Sequence, residues 1–216
     1  FYDGGKANTT SKALKQIEKH LTDGATFIDV GGYSSRPGAD NISVQEELHR
    51  ILPIIDEAIR VFPDVIISVD TFRSEVAEAA VASGAQIIND ISAGQLDTKM
   101  FEIVIEHNVP YIMMHMKKTP QDMQQDIHYD HLLLEIGQYF SEKVNYLQSN
   151  GVHDLILDVG FGFAKTLEHN YQLLGNLRHF DFLQLPMLAG ISRKSMLYKP
   201  LGITSQEALN ATTAAN

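Results

Sequence analysis

Cysteine is absent from the 216 residues, which removes disulfides, thiolate metal ligands and a cysteine nucleophile from consideration. No apolar run reaches the ~18 residues that a membrane-crossing helix needs, so no membrane partner is expected. Phe1 to Lys6 is Gly-rich and polar, without the basic start and apolar stretch of a secretory signal. A cytoplasmic protein is the expectation. Basic residues are also scarce: 17 Lys and Arg stand against 27 Asp and Glu, for a formal charge of −10. That field opposes a nucleic-acid or anionic-membrane surface, although local donors still allow an anionic small substrate.

What is present is regular alternation. With 44% hydrophobic and 20% charged residues and no low-complexity tract or linker, residues 1–216 read as a single globular domain. Short β-branched runs occur at Thr26 to Val30, Val65 to Val69, Gln86 to Asn89, Tyr111 to Met114, Leu155 to Asp158 and Met187 to Gly190. Helical periodicity fills Ser11 to Leu21, Val44 to Val61, Ser74 to Ser83, Thr98 to His107, His131 to Ser149 and Thr166 to Leu177, and resumes near Ser205. Continuously apolar strands are buried on both faces, which predicts a parallel sheet covered by helices. An open doubly wound sheet and a closed (β/α)8 TIM barrel both fit. No G-x-G-x-x-G follows a strand, and polar residues end nearly every strand: Asp29, Asp70, Asn89, His115, Asp158 and Ser192. Convergence at many strand ends favours the barrel, with six of its eight strands visible.

Chemistry-bearing residues sit at those ends. In the loop Asp29 to Gly38, Gly31 and Gly32 permit close approach, Ser34 and Ser35 offer hydroxyls, and Arg36 before Pro37 can grip an anion. A surface loop with a solvated arginine is the alternative. Asp70 would project into a barrel mouth, or cap the next helix. Asn89 can present a donor and an acceptor to a heterocycle, or satisfy a turn. Met113 to Met116 can line an aromatic ligand or simply pack the core. His115 has no second histidine at ligand spacing, so a histidine-based metal site is rejected. Asp158, within Leu157 to Lys165, can accept paired hydrogen bonds from a 2-amino-4-oxopyrimidine, and Lys194 can donate to its carbonyl or ring nitrogen. Phe163 can contact an aromatic substrate. For Gly160, Gly162 and Lys165 the alternative is a turn with a solvated lysine, and for Ser192 to Ser195 it is a helix start.

Taken in order, these motifs resemble the bacterial dihydropteroate synthases over essentially the whole chain. The matching segments are Phe1 to Gly5, Gly31 to Gly38, Ser68 to Thr71, Ile88 to Asp90, Met114 to Met116, Asp158 to Phe163 and Ser192 to Ser195. Ser35 stands where threonine is more usual, and Val159 replaces the proline of the Asp-Pro-Gly-Phe-Gly signature. The resemblance implies condensation of 6-hydroxymethyl-7,8-dihydropterin pyrophosphate with p-aminobenzoate, giving 7,8-dihydropteroate and pyrophosphate. It implies that Asp158, Asn89 and Lys194 hold the pterin, with Met114, Gly190, Phe163 and Ser192 around it. Asp70 and Lys194 would be catalytic, and Ser35, Arg36 and Pro37 would close over p-aminobenzoate. Mg²⁺ is the implied cofactor, sulfonamides the implied inhibitors and a homodimer the implied assembly. The family's Asn metal ligand would lie before Phe1 and its Arg-x-His anion site on the last strand, so the chain is expected to lack both end strands and to hold no metal ligand itself. The alternatives are a pterin-binding methyltetrahydrofolate:corrinoid methyltransferase, a non-catalytic pterin-binding homologue, and a phosphate-binding barrel of unrelated chemistry.

Overall fold

Each β-branched run has a Gly or Pro shortly before it and is too short for a helix. In the computed structural model, which describes residues 9–35, 40–117 and 127–216, these runs are strands β1 (Phe27–Gly31), β2 (Ile66–Asp70), β3 (Ile87–Asp90), β4 (Tyr111–Met114), β5 (Leu155–Asp158) and β6 (Met187–Leu188). All pairings are parallel and the spatial order is β1-β2-β3-β4-β5-β6. A doubly wound sheet reverses its order at a switch point, whereas a barrel sets each strand beside the last. The unreversed order is that of the barrel. The last strand stops at Leu188, short of the expected Gly190, because the chain turns there through the Ile191 N–H to Ala189 O bond of 2.9 Å.

The helices are α1 (Thr10–Thr22), α2 (Val44–Val61), α3 (Ser74–Ala82), α4 (Met100–His107), α5 (Leu132–Ser149), α6 (Leu167–Gly175), α7 (Ser195–Tyr198) and α8 (Leu209–Ala215). Local chemistry explains their ends. Ser43 caps α2 by accepting from the Glu46 N–H at 3.1 Å, Glu46 and Glu47 lie in the first turn, and Arg60 lies in the last. The buried stripe Glu47, Ile51, Ile55 and Ala58 recurs at helical spacing and faces the sheet. Thr166 and His169 form a capping box for α6. The expected helix Thr166 to Leu177 ends instead at Gly175, where glycine weakens it, and the chain continues as a 3-10 segment, Leu177–Leu183.

Side chains alternate across a strand, and the two faces differ. Ile28, Val30, Ile67, Val69, Ile88, Tyr111, Met113, Leu155 and Leu157 pack with Ile51, Ile55, Val76, Val104, Phe140 and Val144 of the helices. The opposite face carries Asp29, Gly31, Ser68, Asp70, Asn89, Met114 and Asp158, in matched rows. Burial on both faces is therefore incomplete: among the described residues β1 and β6 pair on one side only, which leaves Phe27 54% and Leu188 38% exposed.

Phe140 is fully buried against Tyr139 and Phe180, so Phe140→Ala should destabilise the protein by about 3–5 kcal/mol. Asp97 accepts from the Ser74 N–H at 2.8 Å at the start of α3, and Asp97→Ala should cost about 1 kcal/mol. Urea denaturation of both variants checks the ranking; equal effects would contradict it.

Candidate active site

Parallel register brings the polar residues together. Gly31, Asp70 and Asn89 are consecutive partners across β1, β2 and β3. Gly31 leaves room for Asp70 there: a Cβ on it would sit 3.2 Å from Asp70 Cβ and 3.3 Å from Asp70 Oδ2 and would press on that side chain. Two residues earlier on β1, Asp29 accepts from Asn89 Nδ2, with Oδ1 at 3.3 Å and Oδ2 at 3.4 Å. That contact orients the Asn89 amide so that its Oδ1 stays available as an acceptor. Burial and then the Asp29 charge raise the Asp70 carboxyl well above the usual carboxylate range. Burial likewise raises Asp29, opposed by Ser68 and Asn89. Both side chains keep solvent contact along the open strand face, which moderates the rise. Asp70 caps nothing, since Asp97 serves the start of α3.

The other half of the mouth is built by the segment after β5. Asp158 is paired in register with Met114 on one side and Leu188 on the other, and its Oδ1 accepts from the Gly160 N–H at 2.8 Å. Burial raises its carboxyl, opposed by that bond and by the Lys194 and Lys165 charges. Gly190 faces Asp158: a Cβ there would lie 4.0 Å from Asp158 Oδ2. Lys194 Nζ donates to Phe161 O at 2.9 Å and lies 4.9 Å from the centre of the Phe163 ring. Burial lowers its ammonium pKa, against the pull of Asp158. Phe163 belongs to a small apolar cluster with Ile91, Met114, Met116 and Ala164, separate from the main core.

Most of the expected site residues thus share one end of the sheet. Asp70, Asn89, Met114, Asp158, Phe163, Gly190 and Lys194 gather there; Ser35 follows β1, and Ser192 is exposed on the turn after β6. Arg36 and Pro37 lie outside the described residues. Two residues are added. Asp29 is oriented toward Asn89, and its place two residues before the strand end was the available signal. Lys165, readable as a solvated lysine, is instead 4% exposed; nothing local in the sequence separates the two cases. Among the described residues no three His, Asp or Glu side chains gather as a metal cage, and no helix is long and apolar enough to cross a membrane.

The model of a family described as "Pterin binding enzyme" matches residues 1–216. Dihydropteroate synthase of Escherichia coli (strain K12) is 41% identical over 216 residues, covering 99% of this chain and 76% of that protein. The Yersinia pestis dihydropteroate synthase, solved as a sulfonamide drug complex, superposes with a TM-score of 0.93 at 39% identity, covering 99% of this chain and 78% of that one. The Xanthomonas albilineans dihydropteroate synthase in complex with 7,8-dihydropteroate gives 0.84 at 32% identity, over 100% and 77% of the two chains.

The acid pair carries a pH signature. A carboxyl raised above the ordinary value of 3.8 in the folded state holds a proton that the unfolded chain has released, so stability falls as pH rises past that value. Asp70→Asn should therefore raise stability at neutral pH by about 0.5–2 kcal/mol. The gain should fade toward about pH 4, where the carboxyl is protonated in both states. Thermal melts across pH read this directly, and a gain that grew on acidification would contradict it.

Proposed function

The chain belongs to the pterin-binding enzyme family and has the function of a dihydropteroate synthase, a transferase of folate biosynthesis, and we propose which of its side chains do the work. The reaction forms a C–N bond between the p-aminobenzoate amine and the pterin methylene. It breaks the C–O bond to pyrophosphate, and the amine proton is released. Asp158 accepts the paired N–H donors of the pterin ring, Asn89 presents its free Oδ1, and Lys194 donates to the carbonyl or ring nitrogen. Met114, Phe163, Gly190 and Ser192 surround the ring. Asp70 faces the reacting carbon, where a carboxylate stabilises developing positive charge.

The observation that carries this reading is the register of the sheet, which puts Asp70 beside Asn89 and Asp158 beside Met114 on one face. The apolar cluster around Phe163 supports a flat aromatic ligand between them. Asp29 keeps Asn89 in its useful orientation. Ser35, Arg36 and Pro37 have their roles toward p-aminobenzoate, whose binding excludes water that would trap the cation. Sulfonamides, bound in the Yersinia pestis relative, compete for the same space. Mg²⁺ would offset charge on the leaving pyrophosphate. The described side chains gather no cage for it.

Lys194→Ala and Asp158→Asn should each lower kcat/KM by about 10²–10³, as loss of one strong transition-state contact does. Pyrophosphate release from dihydropterin pyrophosphate, with and without p-aminobenzoate, is the measurement. A sulfonamide should inhibit competitively with p-aminobenzoate. Tight pterin binding without coupled release would withdraw the roles given to Ser35 and Arg36.

A further inference from the structure

Lys165 closes the segment after β5, and its side chain turns inward. Nζ lies 2.9 Å from Phe163 O, 3.3 Å from His115 O and 3.0 Å from His115 Nδ1. Three acceptors match the three N–H donors of an ammonium. Burial, and then the Lys165 and Lys117 charges, hold the His115 imidazole well below its usual range. Its ring is therefore neutral, with Nδ1 accepting and the proton on Nε2.

The same segment is also tied to the exit of β4 and to Tyr129 ahead of α5. The His115 N–H donates to Asp158 O at 2.8 Å, and Tyr129 Oη donates to Ala164 O at 3.0 Å. Gly160 has φ +69°, and a Cβ on it would lie 2.2 Å from His115 O, so only glycine permits this approach. Ala164 also takes a positive φ, 48°, a strained conformation that persists when its surroundings enforce it. Lys194 meets this segment at Phe161 O and the Phe163 ring. Lys165 holds it at Phe163 O.

We propose that Lys165 is a positioning residue for the pterin site: its ammonium ties the β4 exit to the segment after β5, and so sets Phe163 and Lys194 against Asp158. The inference rests on the pterin-site reading above and adds to it a residue that touches no substrate. Loss of one proton leaves two donors for three acceptors, and one tie is released. Burial pulls Lys165 down to about 7, with Asp158 opposing and Lys194 and Lys117 assisting. His169 of α6 also feels the Lys165 charge, and Lys143 of α5 acts on His115. The tie is therefore made and released within the neutral range.

The test is affinity for 6-hydroxymethylpterin between about pH 6 and pH 9, beside the Michaelis constants of both substrates. Wild-type affinity should fall about tenfold through pH 7, the worth of one buried charged hydrogen bond. Lys165→Met should bind at the weaker level throughout with no step at that pH, and should raise KM for the pterin substrate while leaving KM for p-aminobenzoate within about twofold. His115→Asn retains an acceptor near the Nδ1 position and should keep the step. His115→Leu removes it and leaves two acceptors that the neutral amine still satisfies, so it should flatten the step, a pair of results that stands even if Lys165→Met folds poorly. A step unchanged in Lys165→Met, or the same step in both His115 variants, overturns the proposal. Absence of pterin binding at every pH would overturn the pterin-site reading, and this proposal with it.

Discussion

Parallel pairing in consecutive order is the constraint from which the site follows. When each strand is laid beside the last with a helix returning outside it, every strand ends at the same face of the molecule. Residues scattered from Asp29 to Lys194 then meet without any long-range contact being specified separately. The period of two along a strand sorts them again. Asn89 and Asp90 are neighbours in the chain with opposite fates. Asn89 faces the mouth beside Asp29, whereas Asp90 is fully buried on the helix side and accepts from Tyr111 Oη at 2.8 Å, Ser92 Oγ at 2.8 Å and the Gly94 N–H at 2.7 Å.

Buried charges hold the loops that the sheet itself does not. Glu47 on α2 is fully buried and accepts from Thr71 Oγ1 and Arg73 Nη1, each at 2.8 Å. Arg73 also donates to Ile42 O at 2.7 Å, which fixes the return of the β1 loop into α2. Asp90 shapes the turn after β3, and Lys165 the segment after β5. Desolvation makes such groups weak contributors to net stability. Their value lies in geometry: Arg73, held by Glu47, and Asp90 and Lys165 each give a backbone group of a loop a charged partner that accepts only one arrangement. Loops around a site for a planar ligand need that definition more than they need added stability.

Much of this was legible in the sequence, and the parts that were not share one cause. Strand and helix positions follow from hydrophobic period, turn residues and caps, so all six strands appear within a residue or two of the expected positions, apart from the early end of β6. Asp70, Asn89 and Asp158 could be placed at the mouth because they close apolar runs, and Lys194 because it lies in the turn after the last one. Asp29 sits inside its strand, and its partnership with Asn89 needs the register of three strands. Lys165 follows a glycine-rich turn, where most lysines are solvated; its burial depends on His115, fifty positions earlier. Tertiary pairing of this kind leaves no local periodicity to read.

The resulting mouth is electrically uneven. At the β5 side, Asp158 is compensated by the Gly160 N–H and by two lysines, so its charge is available for paired hydrogen bonds without attracting a further cation. At the β1 and β2 side, Asp70 has Asp29, Glu47 and Asp90 adding to its burial. An acid surrounded by acids is costly in the resting protein and becomes favourable only when positive charge develops beside it. In the proposed reading, the carboxylate that holds the ring and the one that faces the reaction are the same side chain in two environments. The difference between them would favour developing positive charge beside Asp70 over Lys194.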